Sequence, residues 1–393
     1  MSADALRPLV RRIMITAAGT VTAQSVIKAL REDGRATFIA VGDMSPLNAT
    51  RAFSDEFVAL PPAGSSEFAR RCFEAAQRLR IDLLVPLIVE SEFLPLDDAR
   101  GLFESIGCRL ALPAREIVHR TGDKLEFAAF LHEIGVPGPS TQAYCESIAV
   151  RKFPVYLKPQ RGSGSVGTAR IESPYSLHEA ARGRTDLIVQ EAIDGTEFTV
   201  DCFAAAPGRV VAAVPRERIA IKAGVSVKGR TYRHPQIETI ARTVVERSGL
   251  TGPANVQGML LADGSFSIIE MNPRFSGTLA LTTAAGINFA SLLIDTIEGR
   301  PIPDLLGRHE DGLVMMRYWS EVFEKRDGAM RLGTPLQALR GNDTGLAPKL
   351  KAEGGAHEGM VEPLGAPVAD QSGHGGDRGQ REANGVERPK VGS

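Results

Sequence analysis

Asn255–Gly277 reads NVQGMLLADGSFSIIEMNPRFSG, and the fold turns on how this stretch pairs with itself. Alternating apolar runs flank Asp263-Gly264, a strong two-residue turn signal, so a β-hairpin is expected. With those two residues in the turn, Ala262 faces Ser265, Met259 faces Ile268 and Gln257 faces Glu270. Directly opposed residues of an antiparallel pair project to one side of the sheet. Strand alternation adds Asn272 to the side that holds Glu270. The expected result is a patch of oxygen ligands, one carboxylate and two amides. Pro273 ends the regular pairing and Arg274 follows at once. Hard-cation ligands beside a fixed guanidinium are what a magnesium–triphosphate site needs. Taken alone, a Glu on a strand face opposite a Gln is more often an ordinary solvated pair. The rest of the chain tips the balance.

The chain has 393 residues, 43% apolar and 24% charged, the mix of a soluble globular protein of two or three domains. A formal net charge of −1 supplies no global field for nucleic acid or anionic lipid. Cys72, Cys108, Cys145 and Cys202 lie far apart without C-x-x-C spacing, and the seven histidines are scattered. That argues against a disulfide framework or a zinc site and for a reducing compartment. The apolar run Ile13–Ala18, after Arg7, Arg11 and Arg12, is too short for a signal peptide or a membrane span. A cytoplasmic protein that binds neither membrane nor nucleic acid is expected.

From the N-terminus, strand and helix patterns alternate. Strands are expected at Ile13–Ala18, Thr37–Val41, Asp82–Pro86 and Arg109–Ala111, and helices at Val21–Arg31, Phe68–Leu79 and Leu96–Ile106. This predicts a parallel α/β domain over residues 1–113. AAGTVTA after the first strand has one glycine where a dinucleotide loop needs three, so Gly19 reads as a plain βα turn. Gly19 can still border a small-ligand cleft beyond the strands' carboxyl ends, for which Glu90 and Glu92 are candidates, although surface acids opening a helix are the commoner reading for both. Asp123–Ile134 is an amphipathic helix stopped by Gly135. From Pro154 to about Arg326 the pattern is strand-rich. Residues 340–393 are rich in Gly, Asp, Glu and Pro, contain no aromatic residue, and read as a disordered tail.

FPVYLKPQRGSGSVGTARI (153–171) places Lys158 at the end of a strand, before a loop in which Gly162, Gly164 and Gly167 alternate with Ser163, Ser165 and Thr168. Such a loop offers backbone N–H groups and hydroxyls to phosphate oxygens. It lacks the G-K-[ST] ending of a P-loop, and hairpin tips often look alike. The lysine at its mouth favours the phosphate reading. In LIVQEAIDGTEFTVDCF (187–203), Phe198, Val200 and Cys202 face a core while Glu197, Thr199 and Asp201 point the other way. Locally, that second face reads as exposed acidic surface. Six basic residues between Arg216 and Arg233, with Gly224 and Gly229, form either a mobile loop closing over anions or a solvated hairpin; Arg218 is its leading candidate.

Together, TGDKLEFAAFL, VYLKPQRGSGSVG, VQEAIDGTEFTVD and NVQGMLL…IIEMNPRFSG resemble the ATP-grasp superfamily in order and spacing, especially the branch of carbamoyl-phosphate synthase large subunits and biotin carboxylase. The resemblance runs from about Ile13 to Tyr318. It implies an N-terminal Rossmann-like pre-ATP-grasp domain, then a two-lobed α+β ATP-grasp domain at 114–330, with a nucleotide lobe to about 190 and a metal and catalytic lobe from 191. Lys124 and Lys158 would contact ATP phosphates, with the loop Gly162–Gly167 folding over them. Gln190, Glu191, Ala192 and Ile193 would form the adenine hinge and Glu197 would hold the ribose. Gln257, Glu270 and Asn272 would bind magnesium (or manganese), with Glu270 between two ions. Arg274, Lys158 and Arg218 would be catalytic. A neutral ligand at 257 weakens one metal position.

The implied reaction is attack of a carboxylate oxygen on the γ-phosphorus of ATP, giving an acyl phosphate that an amine then displaces. Small-molecule carboxylates and amines, amino acids among them, are the expected partners, and a homodimer through the first domain fits the family. Two other outcomes stay open: a carboxylate- or carbamate-phosphorylating enzyme acting with a partner, and a non-catalytic nucleotide-binding module. The substrates themselves are not legible.

Overall fold

The computed structural model describes residues 9–333 except 151, 163, 165 and 223. The tail at 340–393, and Ser163 and Ser165 of the glycine loop, lie outside the described residues.

Strands β1 (Arg12–Ile15), β2 (Phe38–Asp43), β3 (Glu56–Ala59), β4 (Leu83–Val85) and β5 (Arg109–Leu110) form a parallel sheet in the order β3-β2-β1-β4-β5. The strand expected at 13–18 stops at Ile15, and Ala17 turns with a φ of 49°. Thr20 caps the following helix, Val21–Asp33, and Gly34 ends it with a φ of 76°, as a left-handed stop requires. Strand β3 is absent from the sequence reading because of its four residues only Val58 is buried. The helix expected at 96–106 is two, Leu94–Asp98 and Arg100–Ser105, separated at Ala99. The chain order reverses at β1 and β4, and the crevice beyond their carboxyl ends is where such sheets hold ligands.

A second, antiparallel sheet joins β6 (Thr141–Ala143), β7 (Val155–Pro159), β8 (Ala169–Ile171) and β9 (Leu187–Glu191) in the order β6-β9-β7-β8. The third contains β10 (Thr196–Ala206), β11 (Arg209–Lys222), β12 (Val225–Thr231), β13 (Gly252–Leu260), β14 (Phe266–Asn272) and β15 (Val314–Met316), ordered β14-β13-β10-β11-β12-β15. The basic stretch from Arg216 is therefore no mobile loop: most of it lies in the paired strands β11 and β12. One apolar core unites Ile13, Ile15, Val26 and Leu30 of the first sheet and its helix with Phe203, Phe275, Leu279 and Phe289. The parallel sheet is thus welded to the third sheet by buried apolar surface, the dominant favourable contribution to folding.

The hairpin forms, but its expected register is corrected near the turn. Leu261 N–H donates to Ser265 O (2.9 Å) and Gly264, at a φ of 82°, donates to Leu261 O (3.0 Å), so the loop has three residues rather than two. Met259 consequently opposes Ser267, not Ile268, and Gly258 opposes Ile268. Ile269 is extra, a β-bulge, and beyond it Gln257 meets Glu270 as expected. Gly258 makes this possible, because a Cβ there would sit 2.5 Å from Ser267 O and 2.6 Å from the Phe266 ring. No helix among the described residues is long and apolar enough to cross a membrane.

Candidate active site

Gln257 and Glu270 are directly opposed, and Asn272 Nδ2 donates to Glu270 Oε1 at 2.9 Å. The three side chains therefore share the partly exposed face of β13 and β14, as the alternation predicts. Among the described residues no three Asp, Glu, His or Cys side chains gather into a metal cage. The protein offers one carboxylate and two amide oxygens. That set fits a hard divalent ion whose remaining ligands are phosphate oxygens and water, not one held by protein alone.

Two lysines reach this patch from the second sheet and its helix. Lys158, on β7, donates to Gln190 Oε1 at 2.7 Å, and Gln190 in turn donates to Thr141 Oγ1 at 3.0 Å. Lys124, first residue of the helix Lys124–Glu133, donates to Gly162 O at 2.9 Å. Burial lowers both ammonium pKa values, and in each case the negative charge of Glu270 opposes that shift. Two partly desolvated cations thus face the carboxylate. A polyanion entering between them would restore the lost solvation.

The glycine loop is anchored by Asp123, a buried carboxylate that sequence reasoning did not single out. It caps the helix Lys124–Glu133 by accepting from Leu125 N–H (3.0 Å), and it accepts from Gln160 Nε2 (2.7 Å) and Arg161 Nε (3.1 Å). An Asp just before an apolar-periodic stretch is an N-cap signal, so half of this role was legible. Gly162, Gly164 and Gly167 have φ values of 115°, 66° and 71°, a run that residues with a Cβ rarely adopt.

The expected hinge divides by role. Gln190 is buried and its side chain holds Lys158. Glu191 N–H donates to Ser140 O at 2.9 Å. Ala192 and Ile193 follow the end of β9. Beside Lys124, Thr141 and Gln190 opens a cavity of about 500 Å³, walled by Leu125, Val136 and Ile268. Glu197 is ion-paired with Arg218, which also donates to Gln257 Oε1 (3.1 Å) and Gly224 O (2.9 Å). Arg218 therefore stands beside Gln257.

Arg274 donates to Phe275 O at 2.9 Å and makes no ion pair among the described residues. Burial lowers its pKa, opposed by the charges of Glu90, Glu270 and Asp201. It lines a second cavity of about 380 Å³ with Arg100 and Arg109, against Phe93, Leu110, Leu112, Phe275, Leu293 and Ile297. Glu90 is exposed, whereas Glu92 is 3% exposed and is no surface acid. It accepts from Thr16 Oγ1 (2.7 Å), Leu87 N–H and Ile88 N–H (both 2.9 Å), tying the ends of β1 and β4 together. Its pKa is raised, chiefly by burial. Gly19 N–H is occupied by Asp43 Oδ2 at 2.7 Å, consistent with a plain βα turn.

The acidic face of β10 is not surface either. Asp201 is 1% exposed and ion-paired with Arg216, itself 2% exposed. Asp201 also accepts from Asn255 Nδ2 (3.1 Å), Ser276 Oγ (3.0 Å) and Thr282 Oγ1. Alternation alone could not reveal this, because the covering residues come from 276–282, far along the chain.

Lys158 on the second sheet and Lys124 on a helix stand on one side, and the amide and carboxylate oxygens of the third sheet on the other, an arrangement chemically suited to phosphate oxygens and a divalent ion. Residues 183–317 match the family model described as "ATP-grasp in the biosynthetic pathway with Ter operon". That match to an ATP-grasp model covers about a third of the chain, 135 of 393 residues. The chain is 28% identical over 210 residues to a D-alanine–D-alanine ligase of Ectopseudomonas mendocina, covering 45% of this chain and 66% of that protein. It is 25% identical over 296 residues to the carbamoyl phosphate synthase large chain of Thermotoga neapolitana, covering 66% of this chain and 26% of that one. The chain thus spans about two thirds of the first relative and about a quarter of the second. An L-amino acid ligase of Bacillus licheniformis superposes with a TM-score of 0.61 at 16% identity, over 81% of this chain and 83% of that chain. The last likeness is one of fold.

Proposed function

We propose that the protein is an ATP-dependent ligase that activates a carboxylate as an acyl phosphate and joins it to an amine, releasing ADP and phosphate. The observation that carries this reading is that Glu270, Gln257 and Asn272 share one strand face while Lys124, on a helix, and Lys158, on the second sheet, lie within the field of the Glu270 carboxylate. In this reading residues 1–113 are the pre-ATP-grasp unit, 114–190 the nucleotide lobe and 191–330 the catalytic lobe. Ala192 and Ile193 offer backbone to the adenine, and Glu197 accepts from the ribose hydroxyls. Lys124 and Lys158 neutralise phosphate charge in a partly desolvated cleft, where fixed charges act strongly. Gln257, Glu270 and Asn272 would hold magnesium, which supplies charge neutralisation at the transferring phosphoryl group. Arg274, a half-buried cation without a carboxylate partner among the described residues, takes the substrate carboxylate and steadies its oxygen for attack on the γ-phosphorus. The Gly162–Gly167 loop keeps water from the acyl phosphate.

The 380 Å³ cavity at Arg274 suits the carboxylate substrate: its size is that of small-molecule sites, and its largely apolar walls carry three guanidinium groups against one carboxylate, Glu104. A compact carboxylate with an apolar side chain, such as an amino acid, is the class it favours. The amine class of the related ligases agrees with this reading. Free Cys72, Cys108, Cys145 and Cys202 suit a reducing, cytoplasmic setting. The test is ADP release on a matrix of amino acids and amines. Release only when both cosubstrates are present supports a ligase. Release with the carboxylate alone replaces it with a phosphorylating enzyme, and no release under any pairing leaves a binding module.

A further inference from the structure

A side-chain amide is a metal ligand only if its oxygen, not its nitrogen, faces the ion. For Gln257 that choice is made two residues away, at Asn255. Asp201 is an acceptor on all sides, so the Asn255 group that faces it must be the NH2; the hydrogen bond from Nδ2 to Asp201 Oδ1 is 3.1 Å. Asn255 Oδ1 then points to Gln257, and Gln257 Nε2 donates to it at 3.2 Å. Gln257 Oε1 is left toward the cleft, where Arg218 Nη1 donates to it at 3.1 Å. Reversing Gln257 would set oxygen against oxygen at Asn255 and NH2 against guanidinium at Arg218. Reversing Asn255 would set its oxygen against a carboxylate with 1% exposure. The polarity of the chain Asp201–Asn255–Gln257 therefore has one self-consistent sense.

We propose that Asn255, held by Asp201, is a positioning residue that fixes the Gln257 amide with its oxygen toward the metal site. The proposal rests on the reading of Gln257 as a metal ligand. Asn255 and Gln257 occupy alternate positions of β13, so their side chains lie on one face, and Asn255 is 4% exposed while Gln257 opens to the cleft. The buried negative charge of Asp201 is stabilised by Arg216, Ser276 and Thr282 from other elements. The anchor is therefore independent of whether a ligand is bound. A neutral Gln needs this direction from its neighbours, because a turned amide offers the ion a donor; a carboxylate offers oxygen either way.

The experiment is Mn²⁺ affinity in the presence of saturating ADP, followed by electron paramagnetic resonance on the full chain. ADP affinity without metal and near-UV circular dichroism serve as fold controls. Asn255→Ala should weaken Mn²⁺ binding about 10-fold, at the lower edge of the about 10–100-fold range for residues that orient metal ligands. In the Gln257→Glu background the same Asn255→Ala change should have less than about a 2-fold effect, since the orienting requirement behind that range no longer applies. Asn255→Leu, which keeps the volume, takes its place if the alanine variant does not fold. Equal losses in both backgrounds, or no loss in the Gln257 protein, overturn the proposal. Gln257→Ala separates the two claims. If it leaves Mn²⁺ affinity unchanged, the metal reading of Gln257 falls and the positioning role with it. If it weakens Mn²⁺ while Asn255→Ala does not, only the positioning role falls.

Discussion

Gln257 and Glu270 stand opposite each other across β13 and β14 because Ile269 bulges out of the ladder between two registers that differ by one residue. On the turn side of the bulge Ile268 is buried in the core; on the other side Glu270 faces the cleft. Strict alternation from Ile268 would have driven Glu270 inward. The bulge turns a strand that faces the core into one that carries a carboxylate toward the cleft within two residues.

Gly258 is where this rearrangement is most exposed to mutation. Gly258→Ala places a Cβ 2.5 Å from a backbone oxygen that cannot step aside. A loss of about 1–3 kcal/mol is expected from such overpacking. A calorimetric melting temperature equal to that of the parent protein would contradict the close approach at the bulge.

Glu270→Ala should abolish the reaction while leaving the fold intact. It removes the carboxylate of the ligand patch, and loss of a fixed charge at a transferring group costs about 10²–10³-fold in rate or more. Steady-state ADP formation measures it, with circular dichroism as control. Turnover within a few-fold of the parent would remove Glu270 from the site.

Lys158→Ala acts on binding first. A charge-assisted contact contributes about 1.5–3 kcal/mol, so ADP should bind about 10–100-fold more weakly by titration calorimetry. Unchanged affinity would mean that the ammonium serves only to hold Gln190.

The two lysines also give pH a definite sign. Burial lowers the pKa of Lys124 and Lys158 below the usual 10.5. Between the lowered value and 10.5 the unfolded chain holds more protons than the folded one. Stability of the free protein therefore rises with pH through that window, and the destabilisation is fully present below it. Phosphate affinity moves the other way, falling as the ammonium groups lose their protons. ADP titrations across the alkaline range should show this fall, and Lys158→Arg should move it to higher pH. A flat profile in the parent protein would contradict the lowered pKa values.

Asp201→Ala should be among the most destabilising single changes. It strands the Arg216 guanidinium, 2% exposed, without its carboxylate. Breaking a buried pair from one side costs about 3–5 kcal/mol. Denaturant unfolding checks it, and a loss below about 1 kcal/mol, the usual worth of an exposed pair, would show the charge to be solvated.

Local signals carried much of the architecture. Thr20 and Gly34 bracket the first helix by capping chemistry that acts over a single turn, and Phe68–Leu79 forms as its periodicity predicts. The pairing of Gln257 with Glu270 was legible within one hairpin only because the longer loop and the bulge at Ile269 offset each other, while the shared face of Glu270 and Asn272 follows from alternation alone. What the sequence could not contain is what distant segments do to each other. Glu92 and Asp201 read as surface acids, yet Thr16 and residues 276–282 bury them. The basic run, left open between a mobile loop and a hairpin, is a pair of strands, because β10 and β15 supply ladder partners on either side. The sequence by itself determined which side chains are candidates for the chemistry, through patterns with periods of two and 3.6 residues. Only the tertiary structure decided which of them are buried, which are paired and which way an amide points, because those depend on neighbours brought together by a core that no local pattern records.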